Sequence, residues 1–170
     1  LHLFLSETWE QRFAAQSFGH DIEAAWLLQE CAIIIGDNER IKEFKEIAIQ
    51  LTEAVIPAID TDGGLWYEYE PQKNHWIKEK HWWPQAEAMV GFFNAYELTG
   101  NEQYLQLSIG CWQFVKQYLT DKKGGEWFWG VQAGYTVMKK GKAGFWKCPY
   151  HNGRACMEII KRINRLLQNS

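Results

Sequence analysis

No apolar run approaches the roughly 18 residues that a spanning helix needs, there is no basic cluster, and no two cysteines stand as CxxC. The first absence excludes a membrane-spanning helix. The opening Leu1-His2-Leu3-Phe4-Leu5 also lacks the charged and cleavage regions of a signal peptide. The second absence, with a formal net charge of -3, leaves no footprint for nucleic acid. Lys122-Lys123 and Lys139-Lys140 are the longest like-charge pairs, and both read as solvated turns. The third absence argues against a disulfide framework and for a reducing cytoplasm. Cys31 and Cys111 fall in helical apolar patterns and are expected to be buried thiols. Cys148 and His151 have CxxH spacing, but a closed zinc cluster needs more ligands than the chain gathers there, so no metal is expected.

What the chain has in excess is aromatic surface. Ten Trp, seven Tyr and nine Phe make up 15% of 170 residues, and many stand in polar, Gly-rich stretches. Such rings can stack on flat ligands or sugar faces, or build a core of large side chains. The other proportions, 46% hydrophobic and 23% charged, are those of a globular protein with enough chain for a sizeable core.

Hydrophobic periodicity predicts five helices. The first runs from His20 to about Ile35 and ends at Gly36-Asp37-Asn38; the second spans Glu39 to Val55 and stops before Pro57. A third starts near Pro84 and reaches Leu98, a fourth covers Glu102 to Leu119, and a fifth Asn152 to Leu167. Between them, Asp60 to Tyr69 reads as a turn feeding a short aromatic hairpin. A longer Gly-rich hairpin is expected up to Trp146, and Leu1 to Ser6 reads as extended.

The pattern repeats. Glu23 stands 13 residues before Gly36 and Glu87 stands 13 before Gly100, while the Gly-Gly-x-Trp turns at Gly63 and Gly124 are 61 residues apart. Each unit is a helix, a turn, a helix and an aromatic hairpin leading to the next helix start. Repeated helix pairs bury one another's apolar faces. The expected fold is mainly α, an α/α toroid with loops gathered at one end; about three helix pairs do not obviously close a ring, so residues 1–170 read as one domain that is either an open arc or part of a longer chain. The inner-helix starts near His20, Trp83 to Glu87, and His151 would then line one rim of a cleft.

Three constellations sit at those starts: His20, Glu23 and Trp26; His81, Trp82, Trp83 and Glu87; and Lys147 to Arg154, including His151. Two histidines facing a pocket suit acid and base work near neutral pH. Carboxylates can hold ring nitrogens or hydroxyls, and tryptophans offer a flat face to a pyranose. Each residue also has a plain reading, the histidines as helix caps and Trp82 and Trp83 as core packing. Paired glutamates in such a toroid equally suit glycoside hydrolysis, and a binding module without chemistry stays open.

The stretches Ser17-Phe18-Gly19-His20-Asp21-Ile22-Glu23-Ala24-Ala25-Trp26-Leu27-Leu28, Trp82-Trp83-Pro84-Gln85-Ala86-Glu87 and Gly144-Phe145-Trp146-Lys147-Cys148-Pro149-Tyr150-His151-Asn152 resemble those of the cellobiose 2-epimerases in the N-acylglucosamine 2-epimerase superfamily. The resemblance implies about half, the C-terminal half, of an (α/α)6 barrel and epimerisation at C2 of the reducing-end sugar of a β-1,4-linked disaccharide, with no cofactor. It assigns the proton exchange to His20 and His151, with Glu23, Trp26, Trp82, Trp83 and Glu87 supporting them or the sugar. Related N-acylglucosamine epimerases and mannose isomerases share the motifs, so a monosaccharide substrate is the alternative. A half-ring would lack the remaining walls of the site, implying an inactive or very weak chain that associates with a second copy.

Overall fold

A computed structural model describes residues 1–168. Among them are five α-helices: α1 (Phe18–Ile35), α2 (Asn38–Val55), α3 (Trp82–Thr99), α4 (Glu102–Phe114) and α5 (Tyr150–Gln168), with α4 running on into a π-helical turn at Val115–Leu119. Their boundaries follow from local chemistry. Gly36 and Gly100 close α1 and α3 at φ 75° and 72°, left-handed values that a residue with a Cβ adopts only under strain. Asp37 and Asn101 then cap the next helices: Asp37 accepts from the Glu39 and Arg40 N–H groups, and Asn101 from that of Gln103. A Gly-Asx pair thus ends one helix and begins its partner, twice.

The helices α1, α3 and α5 form an inner row, with α2 packed on α1 and α3, and α4 on α3. Helix α3 is the centre and is buried continuously from Trp82 to Ala95. Gly91 permits its close approach to α1, because a Cβ there would lie 2.5 Å from Ile22 Cγ1 and 2.9 Å from the Ile22 carbonyl oxygen. At the far end of the row Arg162 of α5, only 2% exposed, binds Glu30 of α1 at 2.9 Å, Asn94 of α3 at 3.1 Å, and Glu97.

Short antiparallel sheets tie the helix starts together. In one, β1 (Gln16–Ser17) pairs with β2 (Glu68–Glu70), which pairs with β3 (His75–Ile77); Ser17 lies opposite Glu68. In the other, β4 (Lys80–His81) pairs with β5 (Gly130–Val131). The first joins the entry to α1 with the hairpin before α3, and the second joins the entry to α3 with the loop before α5.

Three expectations change. Leu1 to Ser6 makes no strand: Leu5 forms a lone bridge to Gln11, and the chain turns back at Ser6, whose carbonyl accepts from the Trp9 N–H. The Gly-rich stretch is a hairpin only from Gly130 to Met138; beyond it the backbone is turns and bends up to α5. Cys111 is buried, but Cys31 is exposed. Cys31 shares with Leu28, Ile33, Ile34 and Ile35 the surface of α1 that no neighbouring helix covers. No helix among the described residues is long and apolar enough to cross a membrane.

Beneath the rim, Lys80 is 2% exposed and donates to Asp60 at 2.8 Å and Asp62 at 2.6 Å, anchoring the first Gly-Gly turn to β4. Partial burial pushes the Asp60 carboxyl up, but hydrogen bonds from Lys80, the Thr61 N–H and Trp66 outweigh it and draw the pKa from 3.8 down to about 2. A carboxylate with a depressed folded pKa gives stability that is complete above its unfolded pKa and lost as pH falls through the folded one. The chain should therefore lose stability between about pH 4 and pH 2, and Asp60→Asn should flatten that limb. Urea midpoints measured across this range check it; an unchanged slope in the variant would refute it.

Candidate active site

The starts of α1, α3 and α5 converge at the loop end of the row. Trp83, in the first turn of α3, stands between the two histidines, its ring centroid 4.7 Å from that of His20 and 5.6 Å from that of His151. Gly19 makes room for it: a Cβ there would lie 2.4 Å from the indole. Tyr67 meets Trp83 edge-on at 6.3 Å, so the ring is held on two sides.

One turn along α3, Glu87 is 1% exposed. Its Oε1 accepts from His151 Nδ1 at 2.6 Å and from Arg154 Nη2 at 2.7 Å, and its Oε2 accepts from Trp26 Nε1 at 3.0 Å. Arg154 Nη2 also donates to Glu23 at 2.7 Å, and its guanidinium stacks on Tyr150 at 4.3 Å and on Trp26 at 4.9 Å. Burial works against the charge on Arg154, but hydrogen bonds and attraction from Glu23 and Glu87 prevail and raise its pKa. One cation thus serves two carboxylates, as an interior pair of like charges requires.

This arrangement selects between the two tautomers of a neutral His151. A carboxylate only accepts, and Glu87 already takes two other donors, so Nδ1 of a neutral His151 carries the hydrogen and Nε2 holds a free lone pair. His20 is placed differently. Its Nδ1 lies 2.7 Å from Ser17 Oγ. His20 is exposed on the open side of the row, yet partial burial of its ring lowers its pKa; Glu23 and Asp21 oppose that effect, and His151 adds to it. The imidazole is therefore neutral near pH 7.

The expected site residues divide. His20, Glu23, Trp26, Trp83, Glu87 and His151 are brought together. Trp82 turns the other way, packing edge-on against Trp129 at 4.6 Å beneath Lys147 Nζ at 5.3 Å. His81 stacks on Tyr67 at 4.0 Å and meets Glu79 at 3.0 Å. Glu23, Glu87 and His151 have ligand atoms within 4.8 Å of one another, a set of the right types for a metal. However, Arg154 bridges both carboxylates and Glu87 is shared with His151 and Trp26, so these donors are committed. The start of α5 is clamped by the second Gly-Gly turn: Glu126 Oε1 accepts from Lys147 at 3.0 Å and from Asn152 at 2.7 Å.

Arg154 was visible in the sequence only as a cation three residues beyond His151 on one helix. Nothing local marked it as the joint between Glu23 and Glu87, which lie 131 and 67 residues away.

Residues 7–155 match the model of the N-acylglucosamine 2-epimerase family, and the chain belongs to that family. Within it the chain is similar to cellobiose 2-epimerases: it is 43% identical over 161 residues to the one from Bacteroides fragilis, covering 94% of this chain and 41% of that protein. The solved structure of the cellobiose 2-epimerase from Bacillus thermoamylovorans superimposes with a TM-score of 0.89 at 39% identity, over 95% of this chain and 41% of the other. A sugar epimerase from a ruminal bacterium superimposes at 0.90 and 39% identity, over 95% and 42%. The five helices therefore correspond to part of an (α/α)6 barrel. The chain spans about 40% of the length of these relatives, somewhat less than the expected half.

Arg154→Met should leave two interior carboxylates without their shared cation and cost about 3 kcal/mol of stability. Chemical denaturation of the variant beside the parent measures this; a loss below about 1 kcal/mol would mean the pair is solvated like an ordinary surface bridge.

Proposed function

We propose that the starts of α1, α3 and α5 form the proton-transfer wall of a sugar 2-epimerase acting on the reducing-end sugar of a β-1,4-linked disaccharide such as cellobiose. The observation that carries this is the His151–Glu87 contact at 2.6 Å, which leaves a basic Nε2 on a ring separated from His20 by Trp83. Similarity to cellobiose 2-epimerases supports the substrate class.

In the open-chain sugar the C2 hydrogen is α to the aldehyde. A histidine removes it, leaving a cis-enediolate; after rotation about C2–C3, the other histidine returns a proton to the opposite face, and the centre is inverted. Glu87 holds His151, Trp83 and Trp26 offer apolar surface beside the pair, and Glu23 keeps Arg154 in place. Donors near O1 stabilise the enediolate charge. Glycoside hydrolysis fits less well. It needs two carboxyl groups at least ~5 Å apart, one of them protonated, whereas Glu23 and Glu87 converge on one guanidinium.

On this reading the 170-residue chain is inactive or very weak by itself, because further walls of the site lie in the part of the relatives it does not match. A chimera in which the chain replaces the corresponding segment of the Bacteroides fragilis protein should convert cellobiose to glucosylmannose and, in deuterated water, label its C2. His151→Ala should lower that rate ~10²–10⁴-fold. Product without label would sink the proton-exchange reading, and release of glucose would point to hydrolysis instead.

The chain also exposes apolar helix surface, with Ile34 at 80% and Ile35 at 68% on α1 and Met157 at 67% and Ile160 at 60% on α5. Such surface is usually relieved by association. Light scattering of the isolated chain should return a mass above the 20.0 kDa of the monomer; a stable monomer would argue against self-association.

A further inference from the structure

Ser17 occupies the N-cap position of α1, with φ -103° and ψ 107°. A serine there ordinarily accepts from an N–H of the first helical turn, as Asp37 and Asn101 do at α2 and α4. The Ser17 hydroxyl makes no such bond. It is turned instead to the ring of His20, 2.7 Å from Nδ1. A helix start has given up its side-chain cap for one contact to a histidine.

Counting hydrogens shows what that contact imposes. Ser17 is fully buried, and among the described residues His20 Nδ1 is the hydrogen-bond partner of its Oγ. A hydroxyl has one hydrogen to place. If Nδ1–H pointed at Oγ, the hydroxyl hydrogen would be buried without an acceptor, which is costly. If the hydroxyl donates to Nδ1, every hydrogen and lone pair at the contact is matched. His20 then carries its own hydrogen on Nε2.

We propose that Ser17 is a positioning residue that holds neutral His20 in the Nε2–H tautomer, so that His20 and His151 approach the substrate in opposite tautomers. His151, fixed by Glu87, presents a lone pair at Nε2, and His20 presents a hydrogen. His151 is thus the ring set to take the C2 proton, and His20 faces the same sugar with its hydrogen already on Nε2, on the side from which a proton is returned. This use of the tautomers rests on the epimerase reading. The tautomers themselves do not.

The test is a long-range proton–nitrogen correlation spectrum of the uniformly ¹⁵N-labelled chain at about pH 8, above the ordinary histidine range, where protonated and bare ring nitrogens differ in shift and coupling pattern. His20→Gln and His151→Gln assign the signals. The expected result is a bare Nδ1 and protonated Nε2 for His20, and the reverse for His151. A protonated Nδ1 on His20, or an averaged pattern from both forms, would overturn the proposal from the parent spectrum alone. Ser17→Ala should collapse the His20 pattern to an average while leaving that of His151 unchanged, and Ser17→Thr should restore it. A His20 pattern indifferent to Ser17→Ala would equally overturn the role. Because ring nitrogens and not turnover are read, absence of sugar labelling in the chimera would leave this result separately interpretable.

Discussion

The sharing of Arg154 between Glu23 and Glu87 is the interaction on which the rest depends. It joins all three inner helices at the rim, since Arg154 comes from α5, Glu87 from α3 and Glu23 from α1. Without it, two carboxylates would face each other with no shared cation, which is costly away from water. Structural need and chemical need are met by the same guanidinium. Ion pairs of this kind add little net stability compared with apolar packing, but they are expensive to break on one side only, which makes them good at enforcing a single arrangement.

The two histidines illustrate how neighbours, rather than residue type, set chemistry. Both lie in the first turn of an inner helix and both flank Trp83. One is tied to a carboxylate that can only accept, the other to a hydroxyl that can donate. The aromatic surroundings matter as well: Trp83 and Trp26 are buried beside the pair, whereas Tyr150 and His20 are exposed. The abundance of aromatics in polar stretches is thus explained in part by packing at the rim, and Trp82 with Trp129 shows the purely structural version of the same residue.

Much of the architecture was legible because it is local. Gly36-Asp37 and Gly100-Asn101 mark helix ends by backbone conformation and helix starts by capping, and both operate within four residues. The gathering of His20, Glu23, Trp26, Trp83, Glu87 and His151 was legible through the repeat and the family resemblance, which place inner-helix starts on one rim. What escaped was set by partners distant in sequence. Cys31 has a helical apolar pattern, yet that surface of α1 is left exposed among the described residues. Periodicity cannot separate Trp82 from Trp83, although they point to opposite sides. Ser17 lies outside a helix read as starting at His20, and nothing in the sequence marks its hydroxyl as the partner of that ring.

Arg162 lies eight residues beyond Arg154 on α5, and its partners Glu30 and Asn94 each lie seven beyond Glu23 and Glu87 on the facing helices. At about 1.5 Å of rise per residue, the two arginines form rungs roughly 12 Å apart, and both must find their acids at once. Sliding α5 by one turn would separate the buried Arg162 and the half-buried Arg154 from Glu30, Glu97, Glu23 and Glu87 together. The height of His151 against Trp83 is therefore gauged partly from the opposite end of the helix row, and a substitution at that remote rung can detune the rim without touching it.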